Sequence, residues 1–86
     1  MKHRFEVLVS LKPGLSDPQG KAVEASLPAL GWRNVSGVRV GKHIDLTVDA
    51  ESATDARAQV EQMARGLLSN PVIEDYRIVG PDGASE

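Results

Sequence analysis

The two histidines, His3 and His43, are the side chains of this sequence best suited to acid–base chemistry near neutral pH. Nucleophilic catalysis would need one of them beside a serine, threonine or lysine nucleophile, positioned within hydrogen-bonding distance. His3 lies close to the amino terminus and His43 lies beside a predicted hairpin, and neither position suggests such a partner. We therefore predict structural or solvent-facing roles for both histidines and no catalytic residue in this chain.

Metal and phosphate ligands are also sparse. The sequence has no cysteine, and its two histidines lie far apart without an HxxE or HxxxH spacing. Its glycines never form a GxGxxG or GxxxxGK[ST] loop, which would cradle a phosphate. We predict no metal site and no bound cofactor. The lack of cysteine also excludes disulfides and a CxxC metal chaperone.

Three basic residues could still contact an anion or a protein partner. Lys12 precedes a Pro-Gly turn, and Arg39 and Lys42 flank Gly41. Charge-assisted hydrogen bonds to a partner are one interpretation. The alternative is that these side chains are solvated or form surface ion pairs.

The size of the chain favours self-association. A domain of 86 residues buries only roughly 60 to 65% of its unfolded surface, so its own core is marginal. Apolar residues make up 41% of the sequence, but the only aromatic residues are Phe5, Trp32 and Tyr76. The core must therefore consist mainly of Val, Leu, Ile and Ala, and additional burial in an oligomer would stabilise it.

The charge pattern excludes several classes of partner. Ten Lys and Arg against twelve Asp and Glu give a formal net charge of -2, with both signs scattered along the chain. No basic block indicates a nucleic-acid or membrane surface, and no apolar run approaches the roughly 20 residues of a membrane span. We expect a cytoplasmic protein that binds neither nucleic acid nor membrane.

Periodicity predicts four strands and two helices. Apolar and polar residues alternate over 5–11, 38–40, 44–48 and about 72–79, which is typical of half-buried strands. Asp17 followed by Pro18 predicts a helix start, and Pro28 predicts a kink or early end of that helix. A second helix is predicted after Ser52 and ends before Asn70-Pro71.

The resulting order, β-α-β-β-α-β, is the split βαβ or ferredoxin-like arrangement of the α+β class, with two helices on one face of a four-stranded antiparallel sheet. Gly41-Lys42-His43 is predicted to form the hairpin between the two middle strands. We predict a single domain over residues 1–80 and a flexible tail over 81–86. Leu8 and Val79 on the open face favour a homodimer, unless they are isolated exposed apolar residues.

Four segments together resemble the PurS family, the small subunit of phosphoribosylformylglycinamidine (FGAM) synthase. The resemblance runs from about Phe5 to Ile78, with Pro28 and Trp32 as local departures. Each matching segment alone is weak evidence for the family, but the order and spacing of the four segments together are specific to it. The matching segments are Leu11-Lys12-Pro13-Gly14, Asp17-Pro18-Gln19-Gly20, Val38-Arg39-Val40-Gly41-Lys42 and Asn70-Pro71-Val72-Ile73-Glu74-Asp75-Tyr76.

The resemblance implies a non-catalytic, structural subunit of an amidotransferase complex in purine biosynthesis. In that family a PurQ-type glutaminase releases ammonia and a PurL-type synthetase uses ATP to convert FGAR to FGAM. The small subunit holds the two together, is thought to assist ammonia transfer, and dimerises, with a tetramer also conceivable. ATP, Mg²⁺ and glutamine are used by the complex, and none is expected to bind this chain.

We hypothesise that three turns present backbone and charge to the larger subunits. The residues are Lys12, Pro13, Gly14, Arg39, Gly41, Lys42, Asn70 and Pro71. The alternative for the prolines, glycines and Asn70 is simple turn chemistry.

Two other functions fit the same element order. A small-molecule sensor domain would bind a ligand at a dimer interface and be stabilised by it. An acylphosphatase would need an arginine-bearing phosphate loop, and nothing in residues 12–20 resembles one.

Overall fold

The computed structural model describes residues 1–81, which form three strands and two helices. The strands are β1 (Lys2–Leu11), β2 (Lys42–Asp49) and β3 (Glu74–Val79). The helices are α1 (Pro18–Ser26), followed by a 3₁₀ turn over Pro28–Leu30, and α2 (Ala53–Met63), which continues as a π-type turn over Ala64–Leu68. Of the predicted flexible tail, residues 82–86 lie outside the described part of the chain.

The strands form one antiparallel sheet in the order β2-β1-β3. β1 lies in the centre, with Val7 opposite Ile44 of β2 and Ile78 of β3. Alternate residues of β1 are buried from His3 to Val9, because every second side chain points to the same face. This confirms the predicted α+β class and the predicted alternation of the central strand.

Helix α2 covers the buried face of the sheet. Its N-cap is Ser52, whose hydroxyl accepts a hydrogen bond from Asp55 N, as the sequence predicted. Ala56 and Val60 lie on the buried side of the helix, and Ala64 of the π-type turn lies on the same side. Because two of these three side chains are alanine, the helix backbone can approach the sheet closely. Among residues 1–81, the buried core consists of Phe5, Val7, Val9, Val48, Ala56, Val60, Ala64 and Ile78.

The prediction of a strand over residues 38–40 is wrong, because the described chain has no strand there. Residues 35–41 form neither strand nor helix and pair with no strand, and they lead directly into β2. Gly41 is not a hairpin residue. A Cβ there would lie 2.4 Å from the Val9 carbonyl oxygen, so glycine is needed for close approach to β1. Val38 and Val40 therefore lie in an unpaired segment that leads into β2, which is why the sheet of the described residues has three strands and not four.

The segment from Leu15 to Gly41, called the arm below, stands apart from the core. Helix α1 buries only Gly20 and contributes no residue to the core cluster. The prediction of two helices packed on one face of the sheet is thus corrected, because α2 alone supplies the helical side of the core. Pro28 acts as predicted: α1 ends at Ser26, and Gly31 caps the following 3₁₀ turn in a left-handed conformation.

The arm makes the molecule elongated. Its principal extents are 51 × 27 × 16 Å and its Cα radius of gyration is 16.2 Å, whereas a compact domain of this length has about 12 Å. Such an elongated chain leaves much of its apolar surface in water. Among the helices of residues 1–81, none has the length and apolar character needed to span a bilayer.

Candidate functional site

The three predicted turns meet at one end of the sheet, where β1 ends and β2 and β3 begin. Lys12 N donates to the Ile73 carbonyl at 2.9 Å, and Lys12 Nζ donates to Asp75 Oδ1 at 2.9 Å. Lys42 Nζ lies 3.5 Å from the Leu68 carbonyl. Segments far apart in sequence thus form one continuous surface, called the sheet end below.

Asp17 joins the arm to the sheet end. Its side chain is the N-cap of α1, with Oδ1 accepting from Gly20 N at 2.9 Å, and Oδ2 accepts from Val40 N at 2.8 Å. Only 3% of the residue is exposed. Gly20 is required beside it, because a Cβ at that position would lie 2.3 Å from the Val38 carbonyl oxygen. One carboxylate therefore fixes both α1 and the start of the run into β2.

The hydrogen bonds to Asp17 also set its acidity. The backbone N–H of Gly20 lowers the pKa of this carboxyl most, followed by the N–H of Val40, and these bonds outweigh the opposing effect of desolvation. The positive charge of Arg39, whose Nε lies 3.9 Å from Oδ2, lowers it further. Asp17 is therefore held ionised in the folded chain.

Arg39 binds backbone within the chain. Its Nη1 donates to the Leu15 carbonyl at 2.9 Å and its Nη2 to the Lys12 carbonyl at 3.2 Å. These bonds brace the turn through Pro13 and Gly14, where Gly14 has a φ of 90° that favours glycine. Much of the donor capacity of Arg39 is thus used inside the sheet end.

Asn70 and Pro71 form the third turn. The Asn70 carbonyl accepts from Ile73 N and Glu74 N, at 3.0 and 2.7 Å, and its side chain accepts from Val72 N at 3.1 Å. Glu74 Oε1 in turn accepts from Asn70 N at 2.7 Å. This arrangement matches the turn chemistry proposed as the alternative for Asn70. It also leaves the side chain of Val72 in water.

Two depressions lie at the sheet end, of about 400 and 470 Å³. The first is bordered by Asp17, Gln19, Lys42 and Glu74, and the second by Pro13, Gly14, Arg39 and Asp75. Lys42 Nζ lies 4.0 Å from Glu74 Oε2, and with Asp17 in the same lining the first depression carries two negative side chains and one positive. Within both linings, no serine, threonine or lysine stands beside a histidine base, and this geometry suits binding more than nucleophilic catalysis.

Exposed apolar side chains form two further surfaces. On the arm, Leu30 is 74% exposed and Trp32 58% exposed, with Val23 and Val35 also in water; these four residues are called the arm surface. Near the Asn70 turn, Leu67 is 83% exposed and Val72 80%, with Met63 and Ile73 also exposed; these four are called the turn surface. Large apolar groups in water on this scale indicate protein–protein contacts.

Sequence reasoning did not find these surfaces or the role of Asp17 beyond its cap. Trp32 stood out only as a departure from the family pattern, although a tryptophan in a polar stretch is a usable signal of an interface. It also did not find the cluster of Glu6, His43 and Asp45, because a local spacing rule ignores cross-strand neighbours. His43 Nε2 lies 3.0 Å from Glu6 Oε1 and 3.3 Å from Asp45 Oδ1.

Comparison with known proteins gives a consistent result. Residues 4–81 match the family described as PurS, phosphoribosylformylglycinamidine (FGAM) synthase. The PurS subunit of this synthase from Bacillus subtilis is 43% identical over 75 residues, covering 87% of this chain and 88% of the relative.

Solved structures agree in fold. The PurS subunit from Thermotoga maritima superposes with a TM-score of 0.85 at 32% identity, covering 91% of this chain and 90% of that one. A chain in the structure of PurLQS from Thermotoga maritima gives the same TM-score and identity, covering 91% of this chain and 95% of its own length.

Proposed function

The chain belongs to the PurS family, and we propose that it is the small, non-catalytic subunit of an FGAM synthase complex in purine biosynthesis. In this role it bridges a PurL-type synthetase and a PurQ-type glutaminase. The complex uses ATP and glutamine to convert FGAR to FGAM, an ATP-dependent ligase reaction. A member of the same family is present in the PurLQS structure of Thermotoga maritima, which supports this assignment.

The observation that carries the proposal is the arm. The chain is short, yet its radius of gyration is 16.2 Å, and its projecting arm exposes Leu30 and Trp32 to water. A protein of this shape is poorly suited to act alone. Burial of apolar surface contributes about 25 cal/mol per Å², so leaving these side chains in water forgoes stabilisation that a partner can supply. The arm is therefore built for assembly.

The arm surface serves a homodimer. The open face of the sheet is mostly polar, with Leu8 and Val79 only half-buried among charged neighbours such as Arg77 and Asp45. The arm surface is more apolar than that face, so a second copy gains more by covering the arm. Pairing of two dimers into a tetramer is compatible with this arrangement.

The four-stranded, ferredoxin-like sheet is completed on assembly. The outer edge of β2 has no neighbouring strand within residues 1–81, and residues 35–41, which lead into β2, pair with no strand. Free edges of this kind bind an added strand through backbone hydrogen bonds. A fourth strand supplied by the second copy accounts for both features.

The sheet end and the turn surface bind the larger subunits. Lys12, Pro13, Gly14 and Pro71 border the sheet end, and Lys42 keeps more than half of its side chain in water. Asn70 orders the loop that exposes the turn surface, whereas Arg39 and Gly41 act by holding the backbone. Each of these residues thus contributes to assembly either by direct contact with a partner subunit or by holding the backbone of the contact surface in place.

The chain itself binds no ATP, Mg²⁺ or glutamine in this proposal. Its contribution to ammonia transfer is geometric: a rigid spacer helps to keep ammonia from escape and protonation in bulk water. The expected compartment is the cytoplasm.

Assembly tests the proposal. Light scattering after gel filtration is expected to give a complex of this chain with a PurL-type and a PurQ-type subunit, formed from the purified components in the presence of glutamine and ATP. Separate elution of all three components would contradict it. If the chain instead shows ligand-dependent thermal stabilisation when alone, the sensor-domain alternative gains support.

A further inference from the structure

Two carboxylates face each other across neighbouring strands on the open face of the sheet. Glu6 of β1 and Asp45 of β2 are direct cross-strand partners, and His43 lies two positions from Asp45 on the same face. Like charges directly opposite each other destabilise a sheet unless a positive charge lies between them. One imidazole nitrogen, His43 Nε2, lies within hydrogen-bonding distance of both carboxylates.

That single nitrogen does not satisfy both carboxylates well. A protonated Nε2 carries one hydrogen, which can point to Glu6 Oε1 or to Asp45 Oδ1 but not along both directions. A neutral imidazole with its proton on Nδ1 would offer Nε2 as a lone pair, which repels both oxygens. With that lone pair free, three electron-rich atoms converge on one point, all within 4.8 Å of one another.

Their spacing matches the edges of a metal coordination shell. Zinc binds His nitrogen at about 2.0 to 2.1 Å and carboxylate oxygen at about 2.0 to 2.2 Å, so neighbouring ligands lie about 3.0 to 3.4 Å apart. The two separations from Nε2 are 3.0 and 3.3 Å. The carboxylates are exposed and can rotate slightly to close the third edge, and the outward side is open to water as a fourth ligand.

We propose that Glu6, His43 and Asp45 form a binding site for one divalent transition-metal ion, with zinc as the best match. One imidazole and two carboxylates favour a borderline metal over Ca²⁺ or Mg²⁺, which prefer oxygen ligands only. This proposal replaces the sequence-based expectation of no metal site. It concerns the open face of the sheet and does not depend on the function proposed above.

Binding there has a structural consequence. The ion replaces repulsion between Glu6 and Asp45 with attraction and links β1 to β2 at the strand pair that carries the core residues Val7 and Val48. Because the unfolded chain does not hold the three ligands together, zinc stabilises the folded state by mass action.

Calorimetric titration of the full chain with ZnCl₂, in a buffer without phosphate or chelator, tests the site. We expect one zinc ion per chain. His43→Ala is expected to weaken binding at least about tenfold, since loss of even an outer-shell partner has an effect of that order. Glu6→Gln and Asp45→Asn should each weaken it, and the same zinc concentration should raise the melting temperature of the unaltered chain more than that of any of these three variants.

Glu51→Gln is the matched control, because it removes an exposed carboxylate just after β2 and outside the cluster. It should bind zinc as the unaltered chain does. In proton NMR spectra, the imidazole signals of His43 should shift on adding zinc while those of the buried His3 stay in place. Absence of zinc binding up to millimolar concentrations, or binding that His43→Ala leaves unchanged, would overturn the proposal.

Discussion

Asp17 and Val40 are twenty-three positions apart and are joined by one hydrogen bond, in which Val40 N donates to Asp17 Oδ2 at 2.8 Å. The other oxygen of the same carboxylate caps α1. The direction in which the arm leaves the sheet therefore depends on this buried side chain, together with the bond from Arg39 to the Lys12 carbonyl.

Asp17→Ala should free the arm while the sheet stays folded. The variant loses the N-cap and the bond to Val40, whereas the core residues lie elsewhere. Hydrogen exchange should accelerate at the amides of Gly20 and Val40 and remain slow at Val7. Ser16→Ala next to it is the control, and it should leave both rates unchanged. Equal acceleration throughout β1 would contradict a local role.

Acid should destabilise the chain partly through Asp17. Its pKa is lower in the folded than in the unfolded chain, so the folded state binds fewer protons. The stabilisation is complete above the ordinary aspartate pKa of about 3.9 and is lost as the pH falls through the lower folded value. Urea unfolding of Asp17→Asn should therefore show a smaller decrease in stability between about pH 5 and pH 2. An identical pH profile in both proteins would refute this cause.

Gly41→Ala should destabilise the fold by about 1–3 kcal/mol, because the new methyl group collides with the Val9 carbonyl. Gly66→Ala is a matched control in the same chain. Nothing lies within 4 Å of a Cβ there, and its φ is not positive. Denaturant unfolding should place Gly66→Ala at or above the stability of the unaltered chain. Equal destabilisation of the two variants would contradict the close approach of β1 and Gly41.

Trp32→Ser should weaken self-association by about thirtyfold, the effect of removing an interface residue worth about 2 kcal/mol. Leu67→Ser removes an even more exposed apolar side chain from the turn surface, and it should leave self-association unchanged. Sedimentation velocity over a concentration series measures both. Dissociation caused by Leu67→Ser but not by Trp32→Ser would mean that the turn surface, and not the arm surface, is the contact between copies.

Local chemistry predicted much of the fold. The caps at Asp17 and Ser52, the early end of α1 before Pro28 and the Asn70 turn all depend on residues within a few positions of each other. Such signals are readable because both partners lie in one short segment. Alternation also predicted the positions of the three observed strands, to within a few residues at their ends.

Long-range relationships could not be predicted in the same way. A glycine between two alternating runs indicates a hairpin as readily as a close approach, and only the position of the Val9 carbonyl decides between them for Gly41. Likewise, apolar residues at helical spacing in α1 suggested a packed helix, yet Val23 is exposed because the sheet lies elsewhere. The Asp17–Val40 hydrogen bond and the Glu6–His43 contact could be predicted only if the register between distant segments were already known.

The most direct test of the central claim is glutamine-dependent synthesis of FGAM by purified PurL-type and PurQ-type subunits, with and without this chain. Ammonia in place of glutamine is the control, since it bypasses transfer between subunits. We predict that activity with glutamine appears only when the chain is added, while activity with ammonia needs no addition. Full glutamine-dependent activity in the absence of the chain would contradict its role as the bridging subunit.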